Sequence, residues 1–286
     1  MGRVGFVVIL LMGSGVAWAG EAVSGVTGKV GYLGGNMDGD FGNNVFGSFS
    51  LPVATNFGFQ GDGLYTHVSD VDFTGAGGHL FWRDWERGLA GVTGGFVHGD
   101  LVDSAAGGVE GEYYLGRLTF MGGFGAAHIG YDTPVPFIDT SVTDFYATAG
   151  LRYYLLEDLM FGATYLHLFD NELGVGQIEY QTPIHGLSLF AEVAVGEHNY
   201  EHALIGAQFY LGKSKSLIRR HREDDPPSMA HQILDGIGVY GAEYNRKGRE
   251  YAESHHTQYT GGYGLIASNY GLSDMVAVNP DSPPAP

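Results

Sequence analysis

The sequence predicts an all-β fold: a single antiparallel transmembrane β-barrel of about twelve strands over residues 20–212, followed by a mostly irregular C-terminal tail at 213–286. Three observations carry the prediction. Apolar or aromatic residues alternate with small or polar ones in short runs along most of the chain, the period of a strand with two unlike faces. After the first nineteen residues no stretch approaches the eighteen consecutive apolar residues of a membrane helix. Glycine supplies 48 of the 286 residues, against a usual share of about 7%, while charged residues supply only 16% and cysteine none.

Residues 1–19 read as a cleaved secretory signal. Arg3 precedes an uncharged stretch from Val4 to Ala19 that closes on Ala17-Trp18-Ala19, a small-x-small cleavage pattern. Gly13, Ser14 and Gly15 interrupt the apolar block, which falls short of the roughly 20 residues of a spanning helix. An exported chain without such a helix is either soluble or a closed barrel, the other structure that satisfies every backbone group in hydrocarbon. The formal charge of −18 opposes a phosphate-rich partner, so nucleic acid is not expected. The lack of cysteine excludes disulfides, iron–sulfur clusters and thiolate zinc sites.

Alternation decides for the barrel. Twelve runs lie at about 25–34, 44–51, 57–68, 72–82, 88–98, 105–115, 117–130, 144–155, 159–169, 173–182, 187–196 and 201–211, most near the roughly 10 residues of a tilted transmembrane strand. Leu118, Phe120, Gly122, Phe124 and Ala126 against Thr119, Met121 and Gly123 show the pattern clearly; runs 72–82 and 173–182 are ambiguous in phase. Connections at 52–56, 83–87, 116, 157–158 and 183–186 read as tight and those at 36–43, 99–104 and 132–143 as longer, so short turns are expected on one rim and long loops on the other. An even strand count then puts both barrel ends on the short-turn, periplasmic side. Arg83, Arg87, Arg117 and Arg152 lie near the short turns, whereas Asp38, Asp70, Asp100, Asp132, Glu172 and Glu197 mark the other rim. Trp82, Trp85, Tyr113, Tyr114, Tyr153, Tyr154 and Tyr210 gather at the short-turn ends as an interfacial girdle.

In these features the sequence resembles the outer-membrane β-barrel proteins of Gram-negative bacteria, the porin-like and surface-antigen group. Gly206-Ala207-Gln208-Phe209-Tyr210-Leu211 is similar to the closing-strand form Gly-x-x-Φ-x-Φ that the barrel-assembly machinery reads in that group. Leu204 departs from it where a polar residue is usual, and the chain continues for 74 residues past Gly212. The resemblance implies an outer-membrane location, that machinery as a partner, and contact with outer-membrane lipid and lipopolysaccharide.

With the apolar phase toward lipid, the lumen phase holds Lys29, Asp62, Glu110, Glu112, Arg152, Glu179 and Glu192. Twelve strands lie between the filled eight-stranded barrel and the open channel of sixteen, so a narrow pore and a plugged interior both stay open. Carboxylates outnumber cations there, which favours cations in a pore; alternatively Lys29 and Arg152 pair with the glutamates and only satisfy a polar core. His67, His98, His128 and His167 fall at the distal ends of alternate strands in the lipid-facing phase. They serve either as amphipathic rings of a girdle or as imidazoles that meet lipopolysaccharide phosphates as pH falls through about 6.5.

No catalytic, cofactor or metal site is expected. The two histidines of Glu197-His198-Asn199-Tyr200-Glu201-His202 would not converge from a hairpin, and His255-His256 has no clear third ligand. His79, His98, His128 and His167 have no serine two residues on, the pairing a membrane-facing hydrolase would show. In the tail, Lys213 to Arg222 is a basic block for inner-leaflet phosphate, peptidoglycan or a periplasmic partner, or simply a solvated one. Ser228 to Asp235 is expected to make a helical turn or two, capped by Ser228 and stopped by Gly236, with the remainder flexible. The expected function is porin-like passive diffusion of small cationic or neutral solutes, with Asp62, Glu110, Glu112, Glu179 and Glu192 setting the field. The alternative is a non-conducting structural or surface-interaction barrel.

Overall fold

A computed structural model describes residues 22–68, 71–100, 102–131 and 141–254. Residues 1–21 with the expected signal, Asp70, Asp132, His255-His256 and the carboxyl end lie outside the described residues. Twelve strands follow one another as β1 (Thr27–Met37), β2 (Asp40–Ala54), β3 (Phe57–Val68), β4 (Val71–Asp84), β5 (Gly88–Gly99), β6 (Val102–Leu115), β7 (Leu118–Tyr131), β8 (Ser141–Leu156), β9 (Leu159–Leu168), β10 (Asn171–Gln181), β11 (Leu187–Gly196) and β12 (Glu201–Leu211). Each pairs antiparallel with its neighbours in sequence, and β1 closes on β12 from Gly28↔Leu211 to Met37↔His202. The ring has no edge, so the wall satisfies its own backbone groups.

The alternation of the sequence becomes an inside and an outside. Phe124 (65% exposed), Ile205 (71%) and Val193 point away from the barrel, while Gln60 (0%), Thr66, Ser188 and Glu179 (2%) are buried within it. A closed wall that is apolar outside and polar inside is suited to hydrocarbon and not to water. The strands run further than the sequence runs suggest, and this removes the expected long loops at 36–43 and 99–104. β1 and β2 instead meet at Asp38-Gly39, where φ is 52° and 95°. Both central residues of a tight type I′ hairpin need positive φ, which Asp and Gly tolerate. Of the expected long loops, the one near 132–143 falls mostly outside the described residues.

The tail departs from expectation most. In place of a flexible periplasmic extension, residues 213–254 turn back into the barrel. Helix α1 (Leu217–Glu223) closes the rim where β12 ends, with Ile218 N–H donating to the Glu157 carbonyl (3.0 Å) and Leu217 N–H to Asp158 Oδ1 (3.1 Å). Residues 224–228 then enter the lumen, and helix α2 (Met229–Ser254) runs on to the far rim. Ser228 does cap α2, accepting from the His231 N–H at 3.3 Å. Gly236 does not stop it, because the helix must pass close to the wall there: a Cβ on Gly236 would strike Leu168, and one on Gly238 would strike Tyr200. Two glycines cost a helix about 1 kcal/mol each. Ile233, Leu234, Ile237 and Val239 are all buried against the wall, and each returns roughly 1.5–3 kcal/mol.

The far half of the lumen is therefore an apolar core, not a wet channel. Leu33, Leu64, Val97, Ile129, Leu166, Leu173 and Leu204 point inward onto α2. Tyr131 stacks on Tyr244 (4.7 Å) and Tyr240 (6.0 Å) near the far rim, and Asn171 donates to Glu243 Oε2 at 2.8 Å. This resolves the two ambiguous runs. β4 turns Phe73 and Phe81 inward, and β10 turns Leu173 and Val175 inward, so apolar residues occupy both faces of these strands. The chain thus threads its own barrel. With no native cysteine, single cysteines at exposed Lys213 and Glu250 are expected to react with an impermeant maleimide from opposite sides of a sealed proteoliposome; labelling of both from one side would refute the threading.

Candidate functional site

The sequence-predicted lumen residues all line the interior, and the C-terminal segment touches several of them. Lys29 on β1 does not pair with a barrel glutamate, as the sequence suggests, but with Asp225 of the returning segment at 2.6 Å. Ser48 Oγ also donates to Asp225, at 3.4 Å. Gln60 donates to the Pro226 carbonyl at 3.1 Å while accepting from Ser50 Oγ at 3.0 Å. Asp62 accepts from Ser228 Oγ and faces His79 Nε2 at 3.7 Å. His79 in turn lies 3.0 Å from Glu110 through Nδ1. One imidazole therefore bridges two carboxylates on neighbouring inner-face positions, and β4 was too ambiguous in phase for the sequence to place it there.

Glu179 is the centre of a second network. It accepts from Gln208 Nε2 (2.6 Å) and Tyr210 OH (3.0 Å), and His221 of α1 lies 3.2 Å from it. His221 also meets the Tyr154 hydroxyl at 2.9 Å. Glu112 accepts from Tyr114 OH at 2.7 Å, and Arg152 stands 4.0 Å from its other oxygen. Glu192 accepts from Gln177 Nε2 at 2.7 Å and lies 3.1 Å from His202 Nε2. Of these, Glu112, Arg152, Glu179, Glu192, Gln208 and His221 line a cavity of about 170 Å³ between the wall and the C-terminal segment, large enough for several waters or one small solute.

Helix α1 adds its own charges at the rim. Lys215 Nζ sits 2.7 Å from Asp224 and 3.0 Å from Glu223, and Arg219 Nε donates to Glu223 at 2.6 Å. Arg222 donates to the Leu118 carbonyl at 2.7 Å and lies over the Tyr114 ring at 4.8 Å. The basic block is thus spent largely on intramolecular contacts. Burial works to raise the Glu223 carboxyl, but the hydrogen bonds from Arg219 and Lys215 overcome it and hold the group below its usual range.

His67, His98, His128 and His167 all project outward near the far rim, as their phase requires, and each stands directly across a hairpin from an acid or a hydroxyl. His67 lies 2.7 Å from Asp72, His98 2.5 Å from Asp103, and His128 2.8 Å from the Thr143 hydroxyl. His167 faces Glu172 in the register and packs on Phe145 with ring centroids 4.8 Å apart. What the sequence did not place in the site is the tail's contribution: His221, Asp225, Ser228 and Asp235. A signal for it existed in the inward apolar positions, Leu204 among them, which have no purpose in a water-filled lumen.

No family model matches the sequence, and no curated protein matches it. Among solved structures the fold is similar to a KdgM porin, at 12% identity over 64% of this chain and 99% of that one with a TM-score of 0.48. It is also similar to a NanC porin at 10% identity, covering 65% of this chain and 100% of that one, TM-score 0.47. Outer membrane protein Omp33 of Acinetobacter baumannii matches at 11% identity, covering 65% and 98%, TM-score 0.42.

Two predictions arise from these contacts. Removing one partner of a buried ion pair costs about 3–5 kcal/mol, whereas replacing both with apolar groups is often neutral. Lys29→Met and Asp225→Leu are expected each to speed amide exchange in residues 224–235 at least tenfold, and the double variant to recover most of the loss. Additive losses in that cycle would show that the pair does not hold the segment. The Glu223 contacts stabilise α1 fully above the ordinary glutamate range and fade as pH falls through the depressed value of the folded state. A nitroxide at Ile218 should therefore gain a mobile component on acidification below about pH 4, near the model-peptide value, and Glu223→Gln should flatten that transition.

Proposed function

We propose that this chain is an outer-membrane, porin-like barrel that passes small cationic or neutral solutes by passive diffusion, and that its own C-terminal segment holds it closed in the conformation described. The carrying observation is the acid-rich cavity inside a closed wall whose outer face is apolar. Asp62, Glu110, Glu112, Glu179 and Glu192 line it, against Lys29 and Arg152 from the barrel. Fixed carboxylates in a confined space concentrate cations and repel anions. Closure by α1 and residues 224–228 uses hydrogen bonds and ion pairs, which water can replace.

The placement in the membrane follows the same reading. The rim with both barrel ends would face the periplasm, after export and insertion by the barrel-assembly machinery. The rim with His67, His98, His128 and His167 would sit at the headgroups of the outer leaflet, beside lipid and lipopolysaccharide. Since each of these histidines already faces an acid or a hydroxyl, a girdle role is favoured there over capture of lipid phosphate.

Planar-bilayer recording tests the proposal. The full chain is expected to be silent or to give small, infrequent steps, and a chain ending at Gly212 to give larger ohmic steps with a cation-selective reversal potential. A truncated barrel that migrates as folded yet conducts nothing would favour the structural, non-conducting alternative.

A further inference from the structure

We propose that Glu192, His202 and Asp235 form a binding site for a divalent transition-metal cation, zinc being the type, which pins α2 to the barrel wall. The site rests on α2 being docked in the lumen, and not on whether the barrel conducts. Glu192 on β11 and His202 on β12 are diagonal neighbours on the inner face, since Glu192 pairs with Leu204 and Ala194 with His202. Asp235 comes from α2, and one ligand atom from each of the three lies within 4.8 Å of the others.

Three features make this a built site and not a chance meeting of charges. The wall pair is already spaced as two ligands of one ion: His202 Nε2 and Glu192 Oε1 are 3.1 Å apart, and tetrahedral ligands at about 2.0–2.2 Å from zinc are roughly 3.3 Å from each other. Both wall ligands are also held from behind. Gln177 Nε2 donates to the second Glu192 oxygen at 2.7 Å, and the Tyr200 hydroxyl meets His202 Nδ1 at 3.2 Å. Such outer contacts fix carboxylate orientation and imidazole tautomer in metal sites. Finally, Asp235 has no hydrogen-bond or ion-pair partner among the described residues. It nevertheless brings a second carboxylate to Glu192, within a stretch of α2 otherwise buried among apolar side chains. No Lys or Arg is paired with either carboxylate among the described residues. The imidazole ligand favours zinc, cobalt, nickel or copper over magnesium and calcium, and the cavity beside the site supplies room for a water as a further ligand.

The test uses the full-length, untagged chain folded in detergent micelles and stripped with chelator. Titration with Zn²⁺ by calorimetry is expected to show one tight equivalent, and Co²⁺ to develop visible d–d absorption at the same stoichiometry. Asp235→Asn, Glu192→Gln and His202→Gln, each scored only where cold-gel mobility shows a folded barrel, should weaken that equivalent tenfold or more and abolish the cobalt bands. Zn²⁺ should slow amide exchange in α2 of the native chain and leave the Asp235→Asn variant unchanged. Combined replacement of His67, His98, His128 and His167 by Gln should leave the equivalent intact. No tight equivalent in the folded native chain would overturn the site. So would binding that survives in the lumen variants but disappears with the rim histidines. Because conductance is recorded separately in chelator, failure here leaves the porin reading standing, and the reverse also holds.

Discussion

Hydrocarbon on the outside is the constraint from which the rest of this structure follows. A closed ring of strands can meet it only by sending apolar residues out between its rims, so the polar side chains of that middle band must turn in. The lumen then holds Lys29, Asp62, Glu110, Glu112, Arg152, Glu179 and Glu192 in a space too narrow to hydrate each fully. An isolated charge in a low-dielectric site costs several kcal/mol. Some relief comes from within the wall, where His79 bridges Asp62 and Glu110 and Gln208 serves Glu179. The remainder comes from the returning segment, whose Asp225 and His221 reach Lys29 and Glu179. The tail is thus not an appendage to the barrel but part of its interior.

The sequence discloses the wall more fully than its contents, for a physical reason. Strand existence and phase are written in a period of two, and lipid outside enforces that period along most of the ring. The reading weakens at β4 and β10 because α2 requires apolar residues on the inner face there too. The start of α2 and its Ser228 cap were legible, but its length and its place in the lumen were not, for a related reason. Gly236 reads as a stop, although it and Gly238 clear Leu168 and Tyr200, and a steric demand between segments far apart in sequence leaves no local trace. Phase sufficed to send the seven lumen residues inward. It could not say that Lys29 finds its partner 196 residues away, nor that a helical carboxylate would meet Glu192 and His202 across the lumen.

The two halves of the plug are held by different physics. Around the far half, α2 buries Ile233, Leu234, Ile237, Val239 and Tyr240 against apolar wall residues. Each aliphatic side chain is worth roughly 1.5–3 kcal/mol, and no alternative partner exists for it once the helix leaves. Around the near half, α1 and residues 224–228 are held by contacts such as Lys29 with Asp225 and Gln60 with the Pro226 carbonyl. Water can replace these, at a net cost of about 0.5–1.5 kcal/mol per neutral hydrogen bond and about 1.5–3 kcal/mol where a charged group takes part. Solvent at the rim where β12 ends meets these replaceable contacts, beside the apolar cluster of Leu217, Tyr154, Met160 and Tyr210, and the acid-rich cavity lies behind them. If the barrel conducts as proposed, a path on that side would run along the polar flank of the helix, past Asp62 and Glu110, so the carboxylates that anchor the closed state are the ones a solute would meet.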